Sequence, residues 1–294
     1  MENPQHFNAE SFSGITSQML SAYKRDGVLV LENMFSPERC QQLMARMATL
    51  IDEFKPDANK TVFSTLSREQ EQEDYFLSSG GEIRFFFEDK AFDDDGNLIR
   101  PMSHSLNKVG HAMHDRDPVF NEFSRQDNLR LVAEGLGQAE PLILQSMYIF
   151  KPPHIGGEVV CHQDSTYIWT EPQSCLGLWV ALEDATLDNG CLWGITGQHN
   201  EDAPRLHMKR KNNDPNSTET ITLDDRPWPE EERVALPVPQ GTLIAFSGLF
   251  PHLSSANTSD KSRHAYTLHT IDGACDYPKS NWLQRGVDDP IKGF

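Results

Sequence analysis

The chain has 294 residues and carries 26 Lys and Arg against 44 Asp and Glu, a formal net charge of -18. A negative field of that size excludes general binding to nucleic acid or to anionic membrane surfaces, because both need cationic side chains to replace released counterions. With 37% hydrophobic and 24% charged residues the composition is that of an ordinary soluble protein, long enough to bury roughly three quarters of its unfolded surface, and its longest apolar runs, such as Val28-Leu29-Val30-Leu31, are far too short to cross a bilayer.

The segment Met1 to His6 shows neither a basic region followed by an apolar stretch nor an Arg-rich amphipathic pattern, so the cytoplasm is the expected location. Ile15 to Arg25 is helix-like, and Gly27 ends it before the strand-like Val28 to Leu31. Ser36 offers an N-cap with Pro37 at the first helical position, and Cys40, Leu43, Met44, Met47, Leu50, Ile51 and Phe54 recur at helical spacing. A helix from Pro37 to about Phe54 is therefore expected to pack one face on a core. Asp57 to Glu73 is polar and reads as a surface loop or short helix. Ile83 to Phe87 reads as a strand, and Asp93-Asp94-Asp95-Gly96-Asn97 as a solvated turn without calcium-loop spacing.

A helical stretch around Pro118 to Leu136 is followed by short β runs at regular spacing: Leu142 to Phe150, Gly157 to His162, Gly177 to Leu182, Cys191 to Ile195, Thr242 to Phe246 and His264 to Thr270. Turn signals such as Pro152-Pro153, Gly156-Gly157, Asp188-Asn189-Gly190 and Gln240-Gly241 separate them, which predicts a sandwich or barrel. A polar insertion from about Asn200 to Arg233 interrupts the strands and reads as a loop over one end of the barrel. The five cysteines, Cys40, Cys161, Cys175, Cys191 and Cys275, are scattered and odd in number, so they are read as reduced.

In His162-Gln163-Asp164 an extended backbone puts residues i and i+2 on one face, so an imidazole and a carboxylate can meet one ion. His199-Asn200-Glu201 has the same form, and with 11 His and 44 acidic residues such a match arises easily by chance. What distinguishes the first is His252, after the strand Thr242 to Phe246, and Arg263 at the head of the last apolar strand. Two histidines and one carboxylate take one face of an octahedron and leave three adjacent positions, the arrangement of non-haem iron(II) oxygenases. Two positions suit the chelating end of a 2-oxo acid and the third dioxygen. The far carboxylate of a dicarboxylic keto acid then needs a fixed cation, and the guanidinium of Arg263 is placed to offer two parallel charge-assisted hydrogen bonds. The bland alternative for Arg263 is a surface ion pair with Asp260.

His162-x-Asp164, then His252, then Arg263 eleven positions later resembles the pattern of the phytanoyl-CoA dioxygenase family. The similarity extends over most of the chain, through Tyr75 to Gly80, Ser146 to Phe150, Gly156 to Val159 and Glu183 to Trp193. The resemblance implies a mainly β fold, a double-stranded β-helix (a jelly-roll or cupin-like barrel) with N-terminal helices packed on one sheet. Residues 1–294 would form one oxygenase domain, with 1–140 as helical and edge-strand support, 141–272 as the barrel core and 273–294 as a C-terminal extension. It implies a dioxygenase with Fe(II) on His162, Asp164 and His252, 2-oxoglutarate as cosubstrate and ascorbate as a stimulatory reductant. It also implies 2-oxoglutarate contacts at Lys108, Met147, Trp179, Ser254 and Arg263.

Read without the resemblance, Met147 and Trp179 are core positions in strands and Lys108 is a solvated charge, while Ser254 could donate to the distal carboxylate beside Arg263. Relatives commonly show Pro-Gly-Ser-His where this chain has Thr196-Gly197-Gln198-His199. That segment lies near the barrel mouth in the family, so the change is expected to touch substrate choice, and His199 is read as structural. Asp164 fills the carboxylate position that a small residue takes in related halogenases, so hydroxylation is expected.

The partners expected are 2-oxoglutarate, dioxygen and a small-molecule substrate, with no nucleic acid and no membrane, on a monomer. A non-catalytic scaffold that keeps the fold, a metal isomerase and a hydroxylase of protein side chains are the competing readings. Arg205-Leu206-His207-Met208-Lys209-Arg210-Lys211 gathers four positive charges; it reads either as solvated loop offsetting Asp224, Asp225 and Glu230 to Glu232, or as a basic lid that admits an anionic substrate.

Overall fold

The computed structural model describes residues 3–54, 70–212 and 214–294. The expected loop or short helix at Asp57 to Glu73 lies mostly outside the described residues. The chain opens with β1 (His6–Asn8) and α1 (Ser17–Asp26), which Thr16 caps by accepting from the Met19 N–H. Gly27 ends this helix in the left-handed region at φ 79°, and β2 (Val28–Glu32) follows. Ser36 and Pro37 start α2 (Pro37–Glu53) as their positions predict, and Cys40, Leu43, Met47 and Ile51 form its buried stripe. Next come α3 (Gln70–Leu77), β3 (Ile83–Phe87), β4 (Leu106–His111) and α4 (Met113–Arg116). The stretch predicted as one helix from Pro118 to Leu136 is two, α5 (Pro118–Ser124) and α6 (Asp127–Gly135), because the backbone leaves helical geometry at Arg125. Arg125 turns its guanidinium to the carbonyl of Gly293 and the carboxylate of Asp115.

The β region then runs through β5 (Pro141–Ile149), β6 (Val159–His162), β7 (Leu176–Ala181), β8 (Leu192–Gly194), β9 (Leu206–Lys211), β10 (Asp214–Thr222), β11 (Val234–Leu236), β12 (Leu243–Ser247), β13 (His252–Ser254), β14 (Ala265–Asp272) and β15 (Lys292–Gly293). Among the described residues the main sheet has nine strands in the order β1-β2-β12-β7-β14-β5-β4-β3, with β15 on β5. A second sheet has the order β11-β8-β13-β6. The insertion at 200–233, read as a loop, instead contains an antiparallel hairpin of β9 and β10 that forms a sheet of its own. Polar alternation hid it, since a hairpin solvated on most of its surface has no apolar period to read.

Strand periodicity divides the main sheet into two faces. Leu178 and Val180 of β7, and Tyr266 and Leu268 of β14, join α2, α5 and α6 in the largest apolar cluster, so helices cover one face of this sheet as expected. The intervening positions, Trp179 and Ala181 on β7 with Ala265 on β14, point into the space between the sheets, where Leu192 and Phe250 also pack. Gly194 on β8 stands opposite His252 of β13, and an added Cβ there would lie 2.0 Å from the Phe250 ring. Gly194→Ala is therefore expected to destabilise the fold by about 1–3 kcal/mol through overpacking, read as a lower denaturant midpoint; an unchanged midpoint would mean that Phe250 moves freely. No helix among the described residues is long and apolar enough to cross a membrane.

Candidate metal centre

His162 ends β6 and His252 begins β13, and these two residues are direct register partners across the antiparallel pair. Their ring centroids lie 4.3 Å apart. Asp164 follows in the first turn after β6, with its Oδ1 3.6 Å from His162 Nε2 and 3.8 Å from His252 Nε2. Among the described residues this is the one group of three His, Cys, Asp or Glu whose ligand atoms lie together, all within 4.8 Å, so it could hold a metal ion. Backbone carbonyls fix the tautomers. His162 Nδ1 donates to Val160 O at 2.8 Å and His252 Nδ1 to Phe250 O at 3.0 Å, which leaves both Nε2 lone pairs for an ion. Gln163, between the two ligands, faces the other way. Its amide donates to Leu249 O and accepts from the Arg205 N–H, so the strand end is anchored on the face away from the cluster.

The second oxygen of Asp164 accepts a 2.8 Å hydrogen bond from His269 Nε2, and Gln145 Nε2 donates to His269 Nδ1 at 3.0 Å. His269 lies on β14 and Gln145 on β5 as register partners, so the main sheet reaches across the cavity to orient a group carried by the smaller one. Burial opposes ionisation of Asp164, but the neighbouring His269 and His252, the hydrogen bond from His269 and the nearby His162 outweigh it, holding the carboxyl well below its usual range. Burial, reinforced by His162, pushes His252 down to about 4, so it stays neutral and able to ligate at neutral pH. For His162 burial acts in the same direction, yet the hydrogen bond and charge of Asp164 prevail and raise it. One carboxylate and two imidazoles grouped in this way could serve as the donor set of a non-haem iron site.

These residues line a cavity of about 260 Å³ between the sheets. Every residue expected to contact a keto acid lies on its wall: Lys108 from β4, Met147 from β5, Trp179 from β7, Ser254 from β13, and Arg263 just before β14. Met147 and Trp179 flank Thr267 of β14 in one cross-strand row, which is why one face presents both to the cavity. Lys108 is buried, not a solvated charge, with its ammonium 5.7 Å from the Phe76 ring centroid and 5.5 Å from that of Phe86. Arg263 is 2% exposed. The surface pair with Asp260 does not form; Asp260 bonds His154 instead. Arg263 Nε donates to Gly190 O at 3.0 Å, its guanidinium stands 5.3 Å from the Trp179 ring centroid, and Nη1 is buried without a hydrogen-bond partner. Burial pulls its guanidinium down to about 10, still cationic at neutral pH. A buried cation with an unused donor, in the same cavity as three candidate metal ligands, fits the far carboxylate of a dicarboxylic keto acid.

Three wall residues escaped the sequence. His269 and Gln145 look like strand residues, although a polar side chain at an inward position of an apolar strand is a usable signal. Lys151, just before Pro152, looks like a turn charge and is 2% exposed. Conversely, Thr196 to His199 does not line the cavity: Gly197 bonds Asp26 O, and the His199 ring packs where a Cβ on Gly27 would sit. This segment therefore makes no contact with the cavity wall, and His199 packs against Gly27. Nor does any residue of 205–211 line the cavity. Arg205 stacks on Trp228 at 3.5 Å and donates to Arg226 O, Lys209 pairs with Glu219, and Arg210 donates to Trp282 O. Arg210 thus ties the hairpin to the C-terminal segment, while Arg205 and Lys209 make contacts within the insertion. Lys211 is exposed, so Arg205, Lys209 and Arg210 are the charges of this segment that make contacts within the protein.

The sequence profile of Phytanoyl-CoA dioxygenase (PhyH) matches residues 23–265. The chain is similar to "Phytanoyl-CoA dioxygenase" of Arabidopsis thaliana, with 42% identity over 94% of this chain and 96% of the relative. It is as similar to "Phytanoyl-CoA dioxygenase domain-containing protein 1" of Mus musculus, with 42% identity over 94% of this chain and 97% of the relative. Among solved structures it is similar to EctD from S. alaskensis with 2-oxoglutarate and 5-hydroxyectoine, at TM-score 0.64, 20% identity and coverage of 94% of this chain and 86% of that one. It is also similar to the non-heme alpha ketoglutarate dependent carbocyclase SnoK, at TM-score 0.64, 18% identity and coverage of 98% and 99%. These likenesses identify the two facing sheets as the jelly roll of a double-stranded β-helix.

Proposed function

Because the chain belongs to the phytanoyl-CoA dioxygenase family, we propose that it hydroxylates a C–H bond of a small molecule, coupled to conversion of 2-oxoglutarate and dioxygen to succinate and carbon dioxide. It is a 2-oxoglutarate-dependent non-haem iron dioxygenase. In this reading His162, Asp164 and His252 hold Fe(II). The observation that carries it is one cavity containing both the three-ligand cluster and the unpartnered Nη1 of buried Arg263.

Iron bound with the keto acid and dioxygen supplies the oxidising power; the protein supplies position. Arg263 and Ser254 take the distal carboxylate, Met147 and Trp179 form apolar walls along the carbon chain, and Lys108 adds positive charge to the same cavity. His269, held by Gln145, keeps the Asp164 carboxylate turned to the ion. Phe76, His111, Tyr167 and Trp282 supply the aromatic part of the wall, where a small substrate can exclude water from the reacting carbon. A carboxylate at position 164 leaves no coordination place for a halide, which favours hydroxylation. All five cysteines are unpaired, which supports our placing the protein in a reducing compartment, the cytoplasm.

The test is turnover of a metabolite panel by anaerobically reconstituted iron protein under ¹⁸O₂, read by mass spectrometry. One labelled oxygen in the product and one in succinate, in equal amounts, is the expected result. Iron-loaded protein that forms no succinate with any compound, and none without one, would refute the reading.

A further inference from the structure

Beside Arg263 the cavity holds a second buried cation. Lys151 Nζ donates to Gly157 O at 2.6 Å and to Ser254 Oγ at 2.8 Å. An ammonium has three protons and no lone pair, so two are committed and one is left, and Ser254 must be the acceptor in the pair. The Ser254 hydroxyl proton is thereby directed elsewhere, and Ser254 lines the cavity. Lys151 and Arg263 converge on Gly190: Arg263 Nε donates to its carbonyl, and a Cβ on it would lie 2.5 Å from Lys151 Cε. The Lys151 backbone carbonyl also accepts from the Arg263 N–H and from Asn257 Nδ2.

We propose that Lys151 is a positioning residue and second cation of the distal-carboxylate anchor: it aims the Ser254 hydroxyl at that carboxylate and adds its own charge to that of Arg263. The inference rests on the keto-acid reading of the cavity and goes beyond it, because a solvated turn lysine would do neither. The charged and titratable groups that face Lys151 are Arg263 before β14, Glu88 after β3, Glu158 before β6 and Cys191 before β8. Of the two carboxylates, Glu88 acts the more strongly on Lys151, and its oxygens already accept from Asn107 Nδ2 and the Gly157 N–H. Two buried cations thus share partial compensation until an anion arrives. Burial, then Arg263, pulls the Lys151 ammonium down from 10.5 to about 7. A bound carboxylate favours its charged form and raises it again.

The sign of the linkage follows. Well below pH 7 Lys151 is already charged and affinity for 2-oxoglutarate is flat. Above it, each binding event must take up a proton, so the dissociation constant rises with pH, by up to about tenfold per unit, until the pKa of the bound form is passed.

The experiment is calorimetry on anaerobic Fe(II)-loaded protein with 2-oxoglutarate and with 2-oxobutyrate, which has the same chelating end and no distal carboxylate. Between pH 7 and 8.5 the wild type should lose affinity for 2-oxoglutarate relative to 2-oxobutyrate. Titrations in two buffers of different ionisation heat should show proton uptake with the dicarboxylate alone. Lys151→Met should weaken 2-oxoglutarate by roughly ten- to hundred-fold, leave 2-oxobutyrate nearly unchanged, and abolish the pH slope; Lys151→Arg should keep more of the affinity and also lose the slope. Equal losses for both acids in Lys151→Met, or a wild type that takes up no proton, would overturn the proposal, and the wild-type arm decides even if a variant does not fold. Failure of 2-oxoglutarate to bind at all would instead refute the keto-acid reading itself.

Discussion

His162→Ala, Asp164→Ala and His252→Ala should each abolish formation of succinate from 2-oxoglutarate by protein supplied with Fe(II) and ascorbate. Each variant opens one position of a three-ligand set, and among the described residues no second group of three His, Cys, Asp or Glu lies together to take over the ion. His269→Ala should behave differently. It removes the hydrogen bond to Asp164 and no ligand, so iron affinity is expected to fall roughly 10- to 100-fold, and activity to return at high iron concentration. His199→Ala should bind iron like the wild type, because His199 packs on Gly27 away from the cavity. Iron content and succinate yield, measured together on all five variants, check the set. Normal turnover in any of the three ligand variants with iron bound would refute the metal assignment.

Arg263→Leu should raise the 2-oxoglutarate requirement strongly while leaving iron affinity nearly unchanged. The guanidinium is buried, makes one hydrogen bond to Gly190 O and leaves Nη1 without a partner, so the apo protein gains little from its charge. Hydrogen bonds to charged groups contribute about 1.5–3 kcal/mol, equivalent to roughly ten- to hundred-fold in apparent affinity. Removing a buried cation that is only partly compensated carries no comparable stability penalty, so the melting temperature should stay near that of the wild type or rise. A large drop in stability with unchanged cosubstrate affinity would instead make Arg263 a structural residue of the Gly190 turn. With Lys151 still present, some preference for the dicarboxylate should survive, and the double variant should lose it.

The order of residues along the chain was enough to place both predictions. His162-x-Asp164 is legible because the side-chain period of an extended backbone is two, whatever the surroundings. Ser36, Pro37 and Gly27 mark helix ends for local reasons of hydrogen bonding and backbone conformation, and the structure has helix ends there. Regular β runs with turn residues between them announced two packed sheets. In each case the cause lies within a few residues, so a one-dimensional reading captures it.

Other features depend on what comes near from far away in the chain. The 200–233 segment contains a hairpin whose Arg210 reaches Trp282, a contact that no local period announces. Lys151 and Arg263 stand 112 positions apart in the numbering and meet at Gly190 because separate strands bring them there. His269 becomes a positioning group only when β14 lies opposite the end of β6. The sequence by itself determined the local chemistry: which residues could ligate, where helices stop, and which runs are strands. Tertiary structure alone decided which charges are buried and which hydrogen-bond donors are left without partners, since burial and partner loss arise from long-range packing that places a polar group out of reach of water.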